Sequence, residues 1–234
     1  MLGLLLARAG ISVVLLEKHD DFLRDFRGDS VHPYTLGILD EIGLCERFHE
    51  LPHRKVQTIG FVQDGVRREF VDFRKIKIRF PYIVFVPQWD FLNFITAEAA
   101  RYSGFQLLMR AQATELIQEN GRTVGVRMRT ADGPQTVQAA LVVAADGRNS
   151  ILRRAAGMQP RDLGIAMDAM MFRISRRDTD PDEGLSIRVG NGRIFGVVDR
   201  NTYWQMSYET EKGGYERLEA EGVGPLRDDL SAIV

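Results

Sequence analysis

Leu141-Val142-Val143-Ala144-Ala145-Asp146-Gly147-Arg148-Asn149-Ser150-Ile151-Leu152-Arg153-Arg154 is the stretch on which the reading of this 234-residue chain turns. An apolar run without alternation predicts a strand buried on both faces, the kind found inside a parallel sheet. Such a strand delivers its last residue to the carboxyl edge of the sheet, where open α/β folds meet their ligands. Gly147 permits close backbone approach or a positive φ, and Asn149-Ser150 offers a cap to a helix over 151–156. An Asp-Gly pair alone is an ordinary turn; its place between a small-residue strand end and a capped helix is what sets it apart.

The start of the chain reads as the inside of a fold. Leu2 to Ala9 is a run of helix formers, with Gly3 and Ala7 four apart on one face where small residues allow close packing on a sheet. Gly10 ends it, and Ile11 to Leu16 predicts a buried strand closing on Glu17. In a dinucleotide-binding unit such an acid bonds an adenosine ribose, about 20 residues beyond a glycine-rich loop. No G-x-G-x-x-G occurs in the chain. The expectation is therefore that this loop and the first strand belong upstream, with Met1 an internal methionine of a longer ancestor or a miscalled start.

Composition narrows the function classes. With 44% hydrophobic and 27% charged residues, the chain can bury a core of one large or two modest domains. A formal net charge of -1 argues against nucleic acid, whose phosphates need a basic surface. The single Cys45 excludes an internal disulfide and suits a reducing compartment, and Met1 to Leu6 is too short to span a membrane. A cytoplasmic protein without a membrane partner is expected.

Further along, Leu36, Leu39 and Ile42 recur at helical spacing and Gly43 stands where that helix would end. Val56 to Val62 and Val66 to Phe73 alternate about an Asp64-Gly65 turn, predicting a hairpin; Tyr82 to Val86 predicts another strand, and Asp90 would cap a helix to Arg101. Short strands are expected over 105–109, 114–118, 124–130 and 135–139, then after Gly157 over 167–174, 185–189, 193–198 and 202–208, with a helix and loop at the end. Cys45, His49 and His53 stand at intervals of four, which on one helix would align three zinc-capable ligands, but Pro52 breaks that helix and no fourth ligand is spaced for it. No G-x-S-x-G elbow or P-loop appears.

The order Asp146-Gly147-x-x-Ser150-x-x-Arg153 after a small-residue strand end resembles the DG fingerprint of the FAD-dependent aromatic hydroxylases, the para-hydroxybenzoate hydroxylase-like family. The resemblance covers nearly the whole chain. It implies an α/β, Rossmann-like (GR2-type) FAD-binding fold with an interrupting antiparallel β-sheet substrate domain. Residues 1–55 and 88–160 would form the FAD-binding domain, and 56–87 and 161–234 the substrate domain. It implies a monooxygenase that uses FAD, NAD(P)H and O2 to hydroxylate an aromatic or related small organic substrate, acting alone or as a homodimer. Carried over by position, Glu17 would meet the adenosine ribose, Arg27 the cofactor diphosphate, with Arg24 a second choice, and Gln88 the flavin. Asp146 and Gly147 would meet both flavin and NAD(P)H.

The chain departs from the pattern at both ends, lacking the glycine-rich loop and stopping before the family's later Gly-Asp motif. Two other classes stay open: a truncated, non-catalytic remnant that binds FAD weakly or not at all, and a nicotinamide-only dehydrogenase, which Glu17 by itself would permit.

Overall fold

The computed structural model describes residues 1–23, 29–164 and 166–233. Along the chain come α1 (Leu2–Arg8), β1 (Val13–Leu16), β2 (Ser30–Val31), α2 (Pro33–Glu41), α3 (Cys45–His49), β3 (Arg54–Val56), β4 (Thr58–Gln63), β5 (Val66–Asp72) and β6 (Ile83–Phe85). Then follow α4 (Gln88–Ala99), β7 (Phe105–Leu108), β8 (Gln112–Glu119), β9 (Arg122–Thr130), β10 (Gly133–Gln138) and α5 (Ile151–Ala155). The last part holds β11 (Met167–Ser175), β12 (Leu185–Gly190), β13 (Arg193–Asp199), β14 (Tyr203–Glu211), α6 (Gly214–Glu221) and α7 (Gly224–Ser231). Two compact units result, one of residues 1–23 and 91–163, the other of 24–90 and 164–234.

In the first unit β1 and β7 pair in parallel, Val13 opposite Phe105 and Leu16 opposite Leu108. Helix α1 lies on them through Gly3 and Ala7, both buried. A Cβ at Gly3 would stand 3.2 Å from the Phe105 ring, which is why a small residue is needed there. Strands β8, β9 and β10 form an antiparallel meander. Asn120 and Gly121, both at positive φ, make the tight turn between β8 and β9 that twisted hairpins favour.

Leu141 to Ala145 is a correction to the expected buried strand. The segment carries no ladder partner among the described residues, and Leu141 is 77% and Val143 56% exposed. The apolar run has the composition of a strand with neighbours on both edges. Among the described residues the parallel sheet of this unit contains β1 and β7 alone, so the segment has no described strand to pair with.

The second unit is built on a six-stranded sheet in the order β11-β14-β13-β12-β4-β5. Asp64 and Gly65, both at positive φ, close the expected β4–β5 hairpin. The sheet is mixed rather than purely antiparallel, because β4 and β12 run parallel with Ile59 opposite Leu185. Phe195, Val197, Met206 and Tyr208 form the core on one face, covered by Leu218 of α6 and by Leu226 and Leu230 of α7. A smaller sheet, β2-β6-β3, carries Val56, Ile83 and Phe85. The strand expected over 56–62 is thus divided at Gln57, β3 pairing with β6 and β4 with β5. Residues 29–55, grouped by sequence with the nucleotide part, gather here because both β2 and β3 pair with β6.

Helix α4 begins at Gln88, two residues before the expected Asp90 cap. Its cap comes from far away in sequence, since the Asp29 carboxylate accepts the Gln88 N–H at 3.2 Å. No helix among the described residues is long and apolar enough to cross a membrane.

Candidate cofactor-binding site

The Asp146–Arg153 loop is held by side-chain hydrogen bonds. One carboxylate oxygen of Asp146 accepts the Ser150 hydroxyl, and the other accepts the N–H of Ile151 at 2.9 Å and of Leu152 at 3.3 Å. Ser150 Oγ in turn accepts the Arg153 N–H at 2.9 Å. Three of the four N–H groups that a helix start leaves free are therefore satisfied by two side chains four residues apart. The Arg153 guanidinium reaches back to the Arg148 carbonyl at 2.7 Å, closing the loop from its other side. Its Nε is buried with no hydrogen-bond partner among the described residues.

The Asp146 carboxylate is engaged by the start of α5, and the exposed Gly147 beside it presents backbone without a side chain. Gly147 has φ +85°, and a Cβ there would meet nothing within 4 Å. A cavity of about 570 Å3 opens beside it, lined by Leu116, Val142, Ala144, Gly147, Leu152 and Arg153 among others. Burial acts to raise the Asp146 carboxyl, but the Ser150 hydroxyl and the N–H groups of Leu152 and Ile151 outweigh it and hold the group below its ordinary value near 3.8. A carboxyl depressed by folding contributes stability that is present above its ordinary value and is lost as pH falls through the folded one. Asp146→Asn is expected to lower stability by about 0.5–2 kcal/mol, the usual worth of a helix cap. Thermal unfolding of both proteins between pH 6 and pH 3 checks this; the gap should close on acidification, and a gap independent of pH would show that charge plays no part.

Glu17 follows β1 directly. Its backbone continues the sheet edge, with its N–H on the Leu108 carbonyl at 2.9 Å and its carbonyl taking the Ala111 N–H at 2.9 Å. The carboxylate accepts the His19 N–H at 2.9 Å, which fixes the turn after the strand. In the second unit Gln88 is held by its backbone N–H on Asp29, and its carboxamide makes no hydrogen bond among the described residues. Arg27 and Arg24 lie outside the described residues. Glu17 and Asp146 are thus set in one unit and Gln88 in the other.

Within the first unit, Glu17 offers an acceptor at a sheet edge and Gly147 offers backbone without a side chain beside open space, groups that suit a dinucleotide. The buried ion pair of Asp29 and Arg200 was not legible in the sequence. They meet across 171 positions, and no local pattern marks such a pair.

The Cys45, His49, His53 spacing does not make a metal centre. Helix α3 ends at His49, whose Nδ1 faces the Cys45 carbonyl at 2.7 Å and whose Nε2 faces the Tyr82 hydroxyl at 3.1 Å. His53 Nδ1 faces the Leu51 carbonyl at 2.6 Å. Burial lowers the His49 pKa and raises that of the Cys45 thiol, both toward the neutral forms of a packed core. No cluster among the described residues could hold a metal ion.

Known proteins share both the sequence and the fold. The family model of an FAD binding domain matches residues 1–221. The chain is 30% identical over 240 residues to 12-dehydrotetracycline 5-monooxygenase/anhydrotetracycline 6-monooxygenase of Streptomyces rimosus subsp. rimosus, covering 100% of this chain and 45% of that protein. It is 22% identical over 234 residues to 6-methylpretetramide 4-monooxygenase of Streptomyces rimosus, covering 100% of this chain and 56% of that protein. The structure of Pseudomonas aeruginosa PqsL in complex with 2-aminobenzoylacetate superposes with a TM-score of 0.82 at 18% identity, over 100% of this chain and 64% of PqsL. The chain spans about half the length of the curated relatives it matches.

Proposed function

This chain belongs to the FAD binding domain family, and we propose from that premise that it is part of a cytoplasmic FAD-dependent monooxygenase that uses NAD(P)H and O2 to hydroxylate an aromatic or related small organic substrate. The observation that carries the reading is the loop at Gly147, which lies beside open space while Asp146 binds the start of α5 and Arg153 binds the Arg148 carbonyl. The Gly147 carbonyl accepts the Ser150 N–H at 3.1 Å, and with no side chain the residue lets a flat or phosphorylated ligand approach its backbone closely. Asp146 serves this surface by shaping it, its carboxylate being occupied by the N-terminus of α5.

Glu17 would take the adenosine ribose, a diol that a carboxylate at the end of a strand accepts hydrogen bonds from. Gln88 would present its free carboxamide to the flavin part. When bound, FAD supplies the redox chemistry, accepting a hydride and activating O2. The tetracycline-type names of the relatives support an aromatic or related organic molecule as substrate class.

Glu17→Ala tests this assignment. Losing a charge-assisted hydrogen bond costs roughly 1.5–3 kcal/mol, so FAD affinity should fall about tenfold to a hundredfold. Flavin mononucleotide, which has no adenosine, should bind the variant and the parent alike. Flavin fluorescence titration of both proteins measures the two constants, and equal weakening for both flavins would remove Glu17 from the ribose.

A further inference from the structure

Arg200 is buried, its side chain only 4% exposed, in the turn between β13 and β14. Its NH1 donates to Asp29 Oδ2 at 2.9 Å and to Gln205 Oε1 at 2.7 Å. The rings of Phe85 and Tyr203 each lie 5.8 Å from the guanidinium carbon, apolar surface that keeps water from the pair. A cation so placed needs a fixed anion, because an unpaired buried charge is heavily penalised. Asp29 supplies it and is itself buried.

Asp29 has a second task. Its other oxygen, Oδ1, accepts the Gln88 N–H at 3.2 Å, and its carbonyl accepts the Val86 N–H at 2.9 Å. The carboxylate therefore stands at the N-terminus of the 12-residue helix α4, where the free N–H groups and the helix dipole favour negative charge. One carboxylate is shared between Arg200 and the first residue of α4. The position of Gln88 is thereby set by the β13–β14 turn of the substrate-side sheet.

Building on the FAD reading above, we propose that Arg200 is a positioning residue for the cofactor, which through Asp29 fixes the start of α4 and so aims the Gln88 carboxamide. Arg200 does not touch the flavin in this assignment. A change at the β13–β14 turn, where the strands of the substrate-side sheet end, alters flavin affinity through this relay. Arg200 Nη1 is the joint: it bonds both Asp29 and Gln205, linking the turn to the carboxylate that holds the Gln88 N–H.

The test is a double-mutant cycle in the whole chain, read by FAD fluorescence titration and by thermal unfolding without flavin. Arg200→Lys keeps the charge but cannot serve Asp29 and Gln205 with one planar fork. Asp29→Asn keeps the shape and weakens the ion pair. Each is expected to reduce FAD affinity about tenfold, as Gln88→Ala should. In the Gln88→Ala background, Arg200→Lys should add less than a further twofold loss, since its effect runs through the side chain already removed.

A purely structural role predicts a lower melting temperature with multiplicative losses of affinity, or none, and either result overturns the proposal. If Arg200→Lys does not fold, Asp29→Asn with Gln88→Ala completes the same cycle. Exchange of the Gln88 amide hydrogen should quicken at least tenfold in Asp29→Asn, and unchanged exchange would overturn the relay. A parent protein that fails to bind FAD at any concentration overturns the FAD reading and this inference with it. A parent that binds FAD while the three variants bind it equally well overturns the relay alone.

Discussion

Asp199→Ala is expected to cost the sheet unit about 3–5 kcal/mol, the usual result of removing one member of a buried ion pair. Asp199 is fully buried at the end of β13. Its carboxylate lies 3.2 Å from Arg176 Nε and 3.5 Å from Arg54 NH2, and accepts the Asn201 N–H at 2.8 Å. Both guanidinium groups are only 15% exposed, so water cannot replace the lost anion. Arg54 keeps Asp182 and Asn201, and Arg176 keeps the Asp180 and Pro181 carbonyls, which sets the lower end of the range. Urea unfolding should show a lower midpoint with an unchanged slope. A loss under about 1 kcal/mol would mean that these remaining partners neutralise the two arginines unaided.

Phe195→Ala should be as damaging by a different route. The ring is fully buried and stacks on Tyr208 with centroids 4.6 Å apart and planes 12° apart. Removing a buried phenylalanine costs about 3–5 kcal/mol, the lost transfer energy plus the cavity left behind. Collapse is hindered here because Tyr208 is held from its other end. Its hydroxyl donates to Asp229 on α7 at 2.6 Å, and burial together with that carboxylate pushes its pKa up to about 12. The same Asp229 accepts from Arg193 at 2.9 Å. Phe195→Leu should recover about half of the loss, and equilibrium unfolding of the two variants decides it. An alanine variant within about 1 kcal/mol of the parent would show that α6 and α7 can settle onto the gap.

The parts of the fold legible in sequence are those written in local chemistry. Asp64-Gly65 and Asn120-Gly121 announce hairpins because few residues tolerate the positive φ that such turns demand, and both turns form. Ser150 was legible as a cap for the same reason, being a short side chain before an apolar helix. Glu17 could be placed at a strand end from the run before it. The misreadings have one physical origin, which is dependence on distant partners. Leu141 to Ala145 reports an environment its own residues cannot create. The start of α4 is decided by Asp29, 59 positions away, and not by the nearby Asp90. The parallel β4–β12 pair joins segments that each look like ordinary antiparallel strands. Arg200 has no local signature at all, since its meaning lies in what it meets.

That parallel pair bears on how the chain acquires its structure. Ile59 must find Leu185, closing a loop of roughly 120 residues, and the entropic cost of closure rises with the logarithm of loop length. Residues 91–163, the bulk of the first unit, lie inside that loop. Their meander is made of neighbours in sequence, and local pairings of this kind form orders of magnitude faster than distant ones. A ribosome would release β8, β9 and β10 long before β12 exists, so the inserted piece can order itself while β4 waits with an open edge. Until β12 arrives, that edge is where a second nascent chain would most readily be captured.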